Sequence, residues 1–343
     1  PNHASPSNEV FYKHPEFLFA DAGIPRSQWF DVVDLDYANP DVWKFMVNVA
    51  EYWIREFDFD GFGIDVPDLI PRNFFRYMKH RLIKAKGGDV FILGESSGNG
   101  IEKWGMDCRY GFLSFFQMKE IFEGVIPPPK PPQRVISHLV KRLHPNETWE
   151  AFGPLGANYG LKRHIETYGD ALTKCSAVIM TTLPFVPEVF AGMEIFEYRD
   201  ESSAIGFMIK MLNLRQRHSA LRSHNVQMVE HDHPEIACAY LKHARNEIAL
   251  VIVNFRKSEV KLTLSIPTNA IAPLKFAPVK DLLTGKPVRL EWVGKNEISI
   301  KLPPFGVVLY VAPLRGKNYA VLSTVPHFTQ SHPNTCGAST LAT

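Results

Sequence analysis

Apolar and polar residues alternate over residues 61–66, where Phe62, Ile64 and Val66 interleave with Gly61, Gly63 and Asp65. This is the period-2 pattern of a short buried strand. Ahead of it, Asn39, Pro40 and Asp41 form a helix-start signal, and Val42, Phe45, Met46, Val49 and Trp53 recur at helical spacing. The unit repeats: residues 74–85 predict a second amphipathic helix, and residues 89–95 a second apolar strand ending in Glu95. Two helix–strand units with acids at the strand ends predict a parallel β/α barrel whose chemistry lies on its C-terminal face.

A carboxylate at a strand end is costly to bury unless it is paired or used. The plain alternative for Asp65 is a cap on the following helix. Two carboxylates converging at one barrel mouth are also the minimal apparatus for glycoside hydrolysis, one attacking the anomeric carbon and one protonating the leaving oxygen.

Further along, residues 106–116 predict another strand, and the proline run 127–132 an extended loop, because such a run cannot continue a helix. Residues 135–143 predict a short helix and residues 204–221 a long one with a basic end. From residue 225 the texture changes to short alternating runs, such as 249–255, 260–264 and 307–311, which predict an antiparallel β-sandwich.

Composition narrows the function classes. The 343 residues can hold a large domain and a smaller one. A formal net charge of +2 gives no basis for a nucleic-acid partner, and no apolar run approaches the roughly 20 residues of a membrane span. Cys108, Cys175, Cys238 and Cys336 lie far apart with no metal-ligand spacing, so they read as reduced thiols and lean towards an intracellular protein.

These residues carry a resemblance. Residues 61–66, G-F-G-I-D-V, resemble the nucleophile strand of the α-amylase family, glycoside hydrolase family 13, usually written G-F-R-x-D. Residues 93–95, L-G-E, resemble its acid/base strand, and residues 1–5 resemble the end of its first motif, D-x-x-x-N-H. Residues 158–163, N-Y-G-L-K-R, resemble N-H-D-x-x-R, with Tyr159 and Gly160 standing where the family has His and Asp. Residues 183–195 resemble the eighth strand, and 302–306 the L-P-P-x-G entry to the last strand of the C-terminal domain.

The resemblance implies a (β/α)8 TIM barrel, its first strands missing from this chain, followed by the antiparallel β-sandwich. The implied domains are a barrel over 1–222, a sandwich over 223–313, and a linker with a further start over 314–343. It implies Asp65 as nucleophile and Glu95 as general acid/base of a retaining reaction, with His3, Asn158, Tyr159 and Arg163 in substrate binding. The acid role needs a proton held near neutrality, which desolvation by the apolar residues 90–93 would favour. The partner is an α-glucan or oligosaccharide. No cofactor is implied; calcium, which family members often bind near the first motif, is not derivable from these residues, and neither is the oligomeric state.

Two electrostatic supports are absent. Gly63 stands where the family has an arginine two residues before the nucleophile, and Gly160 where it has the aspartate that binds the sugar. Losing one preorganised group of this kind costs on the order of 10²–10³ in rate. Two readings therefore stay open: an α-glycoside hydrolase or transglycosylase with a modified site, and a barrel that binds carbohydrate or a partner without turnover. The tail adds a third, a targeting half of a fusion. Its Gln330 and Cys336-Gly337 resemble the opening of bacteriocin-processing, papain-like cysteine peptidases, although no partner histidine follows before Thr343.

Overall fold

The computed structural model describes residues 3–5, 9, 13–18, 33–96, 100–111, 117–118, 121, 131–142, 149–152, 164–188 and 204–314. These fall into two compact units, one built from residues up to 110 with 147–151, the other from 111–146 and 152–329.

The first unit opens with strands β1 (His3–Ala4) and β2 (Val33–Asp34), which pair antiparallel. Helix α1 (Pro40–Phe57) follows, starting where the sequence signals it: the Asn39 side chain accepts from the Asp41 N–H at 2.9 Å. It ends at Asp58, held left-handed with φ of 56°, and Lys86 clamps that turn by ion pairs to Asp58 and Asp60. Strand β3 (Gly61–Ile64), helix α2 (Arg72–Lys86) and strand β4 (Phe91–Gly94) complete the repeat, and Gly87 closes α2 in the left-handed conformation that glycine adopts without strain. Strands β5 (Cys108–Tyr110) and β6 (Trp149–Phe152) extend the sheet, so that β3, β4, β5 and β6 lie side by side and parallel. The sequence expects this parallel arrangement.

The buried face of α1 differs from the expected stripe. Val42, Val47, Glu51 and Ile54 are buried, whereas Val49 and Trp53, two of the expected core positions, are 40% exposed, beside the exposed rings of Tyr52 and Phe57. Apolar residues occupy most of this helix's circumference, and the buried stripe includes a carboxylate. Glu51 tolerates burial because Arg81 of α2 donates to it at 2.8 Å and Arg55 at 3.1 Å.

The second unit holds helices α3 (Pro132–Arg142), α4 (His164–Thr182), α5 (Ala204–Arg217) and α6 (Ser219–Arg222), with the short strand β7 (Val186–Pro187). Two expectations are corrected here. Pro132 is not in an extended loop but opens α3, a position where its missing N–H costs nothing. The expected helix over 204–221 is two helices, broken at His218 in an extended conformation (φ −111°, ψ 115°), with Arg222 donating to the Arg215 carbonyl at 2.9 Å. Helix α4 contains the non-helical Gly169, and a helical run proceeds from Asp170.

The remainder is the antiparallel sandwich. Strands β8 (Asn225–Met228), β9 (Glu230–His231), β10 (Ala237–His243), β11 (Glu247–Asn254) and β12 (Val260–Ser265) are followed by helix α7 (Thr268–Phe276), which the sequence reading missed. Strands β13 (Val279–Asp281), β14 (Pro287–Val288), β15 (Glu291–Trp292), β16 (Glu297–Leu302) and β17 (Val307–Pro313) complete it. One sheet has the order β14-β13-β17-β11-β10-β8, the other β15-β16-β12-β9. Ala239, Leu241, Leu250 and Ile252 meet Leu262, Leu264, Ile298 and Ile300 of the opposing sheet. Their alternates Tyr240, Val251, Val253 and Leu309 pack instead against Val178 of α4 and Met208 and Met211 of α5. Burial on both faces explains why β11 reads as an almost unbroken apolar run.

Candidate active site

Strands β3 and β4 pair in register, Phe62 with Ile92, Gly63 with Leu93 and Ile64 with Gly94. Ile92 belongs to the core shared with Val42 and Ile54 of α1 and Phe75 and Leu82 of α2, and half-buried Phe62 and Ile64 pack against it. Strand alternation therefore turns Gly63 and Leu93 to the face away from the helices. Asp65 and Glu95 are the next residues on that face, one step beyond the C-terminal ends of adjacent parallel strands. The Glu95 N–H donates to the Ile64 carbonyl at 2.8 Å, which carries the register through to the two carboxylates. Both residues are half-buried.

The surroundings explain the glycines and the turn. A Cβ on Gly94 would lie 2.5 Å from Met106 Sδ and 3.3 Å from Pro67 Cγ, so a side chain before Glu95 would have to displace Met106 and press on Pro67. A Cβ on Gly63 would meet nothing within 4 Å, and its φ is not left-handed. The position where the family carries an arginine is thus open space. At the other end of β4, Asp107 accepts from the Ile92 N–H at 2.8 Å and pairs with Lys79 of α2 at 2.5 Å, tying the acid-bearing strand to its helix.

His3 lies on β1, where its backbone pairs with Asp34. Asn158, Tyr159 and Arg163, like Gly160, lie outside the described residues, as do Gln330 and Cys336. Cys108, Cys175 and Cys238 are buried thiols, with burial pushing Cys175 up to about 12. Among the described residues no group of three or more His, Cys, Asp or Glu could hold a metal ion, and no helix is long and apolar enough to cross a membrane. The expected strand over 61–66 is shorter: β3 ends at Ile64, and Val66, expected as its last apolar position, is instead left-handed and with Pro67 shapes the turn after Asp65, because Pro67 starts a helical turn that a strand cannot continue.

No protein-family model matches the chain. A solved maltogenic α-amylase from Thermotoga neapolitana, described as noncanonic, superposes with a TM-score of 0.76 at 20% identity, covering 92% of this chain and 76% of that one. The chain has the α-amylase fold. In that fold it combines barrel strands of the (β/α)8 type with the C-terminal antiparallel sandwich. The resemblance to the α-amylase family is also carried by curated relatives. A cyclomaltodextrinase of Geobacillus thermopakistaniensis is 26% identical over 305 residues, 80% of this chain and 49% of that protein. A maltogenic α-amylase of Bacillus acidopullulyticus is 24% identical over 251 residues, 66% of this chain and 42% of that protein. The chain thus spans about half the length of the curated relatives it matches. Asp65 and Glu95 stand one residue beyond the C-terminal ends of adjacent parallel strands in this fold.

Proposed function

We propose that this chain carries the catalytic carboxylates of a retaining glycoside hydrolase or transglycosylase acting on α-glucosidic linkages. The observation that carries the reading is the placement of Asp65 and Glu95 one residue beyond the ends of adjacent parallel strands, with the Glu95 N–H bonded to the Ile64 carbonyl. The relatives' names, cyclomaltodextrinase and maltogenic α-amylase, support an α-glucan or maltooligosaccharide as substrate.

Asp65 attacks the anomeric carbon as the glycosidic C–O bond breaks, giving a covalent glycosyl-enzyme. Glu95 protonates the leaving oxygen, then takes a proton from the water or acceptor hydroxyl that releases the sugar. The arginine missing at Gly63 would orient and stabilise the Asp65 carboxylate, so the site works at a reduced rate. Its open space also favours a second reading, a barrel that binds oligosaccharide without turnover.

The test is the full chain assayed on a panel of cyclomaltodextrins and maltooligosaccharides, beside Asp65→Ala. Turnover that Asp65→Ala abolishes supports the hydrolase. Oligosaccharide binding with no turnover in either protein supports the second reading.

A further inference from the structure

Directly after Asp65 the backbone adopts a conformation that its residue resists. Val66 has φ of 41° and ψ of 55°, in the left-handed region. A β-branched residue there is a steric outlier, and the following proline disfavours helical backbone at the position before it. The other described non-glycine residues with positive φ are Asp58 and Phe305. Asp58 ends a helix, where a short polar side chain tolerates this region. Val66 has no such excuse.

The strain persists because both sides of the residue are fastened to one place. Before it, the Ile64 carbonyl accepts from the Glu95 N–H at 2.8 Å. After it, buried Pro67 sits down on Gly94, its Cγ 3.3 Å from where a Cβ on that glycine would be. The turn then closes on itself, with the Leu69 N–H donating to the Val66 carbonyl at 3.2 Å and the Ile70 N–H to the Pro67 carbonyl at 3.1 Å. Ile70 is itself in the core. Asp65 and Val66 are therefore a two-residue span between two anchors, and both anchors are on Gly94 and Glu95.

We propose that Val66 is a positioning residue: its forced left-handed turn holds the Asp65 carboxylate at a fixed reach from Glu95. Strained backbone of this kind survives where the surroundings over-determine it and clusters at functional sites. The inference rests on the hydrolase reading above.

The experiment compares the full chain with Val66→Gly and Val66→Asn, measuring steady-state hydrolysis of 4-nitrophenyl α-maltoside and thermal unfolding. Glycine enters the left-handed region freely but leaves it as freely. Val66→Gly should therefore keep or raise Tm while kcat falls roughly 10- to 100-fold, the scale of a misplaced reacting group, with KM unchanged. Asparagine is enriched in the left-handed region, so Val66→Asn should retain the wild-type kcat and melt a few degrees higher. Val66→Gly at the wild-type kcat, in an active wild-type background, overturns the positioning role alone. So does a loss of kcat in both variants that tracks a fall in Tm. A wild-type chain without turnover, unchanged by Asp65→Ala, overturns the hydrolase reading and the positioning role with it.

Discussion

The backbone N–H of Glu95 donates to the Ile64 carbonyl at 2.8 Å, hanging the candidate acid from the residue just before the candidate nucleophile. The bond uses only main-chain atoms, so changing either carboxylate leaves the frame in place. Glu95→Gln should melt near the wild-type Tm while kcat on a maltooligosaccharide falls on the order of 10²–10⁴. The loss should shrink on a 4-nitrophenyl α-glucoside, whose leaving group departs without protonation. Equal losses on both substrates would argue against the acid role.

Gly63 faces open space on the same side of β3 as Asp65: a Cβ there would have no neighbour within 4 Å, and the backbone φ is not left-handed. Gly63→Arg should fold and place a cation beside the carboxylate. Because such a group acts on developing charge, kcat should rise on the order of 10²-fold, with less change in KM. Adding Asp65→Ala should erase the gain.

Glu51 joins α1 to α2 through Arg81 at 2.8 Å, and its side chain is 6% exposed. Removing it leaves Arg81 without that partner in a partly buried setting. Glu51→Ala should destabilise the first unit by about 1 kcal/mol, because Arg81 and Arg55 are left partly in solvent and Arg81 keeps its bond to the Tyr77 hydroxyl. Urea denaturation monitored by tryptophans of that unit, among them Trp43, Trp53 and Trp104, checks it.

His224 responds to acid. Burial, with Lys242 and Arg215 nearby, pushes it down to about 4. Its folded value lies below the unfolded one, so its contribution is fully present above about pH 6.5 and is lost as pH falls through about 4. Burial pushes Lys242 and His243 in the same direction. The loss from His224 approaches about 3 kcal/mol at the acid end. The Tm difference between wild type and His224→Gln should therefore change steadily between those two pH values, and flatten outside them.

Much of the repeating unit was legible because local chemistry and tertiary demand agree. Asn39 caps α1, Gly87 closes α2, and the acids stand where the two apolar strands end. The buried face of α1 was not legible, since Val49 and Trp53 match the period as well as Val47 and Ile54 do, and only the partner Arg81 explains why Glu51 goes inside. Helix α7 was hidden by Pro273 within it, and the break at His218 by an apolar pattern that continues across it. The strained turn at Val66 had no sequence signal because valine is a residue that avoids that conformation.

The central claim is that Asp65 is the nucleophile of a retaining reaction, and the configuration of the first product tests it most directly. Proton NMR of the full chain acting on a maltooligosaccharide should show the α-anomer released first, mutarotating only later, with Asp65→Ala giving no release on the same timescale. The β-anomer appearing first, or an Asp65→Ala chain that works as well as wild type, would contradict the account.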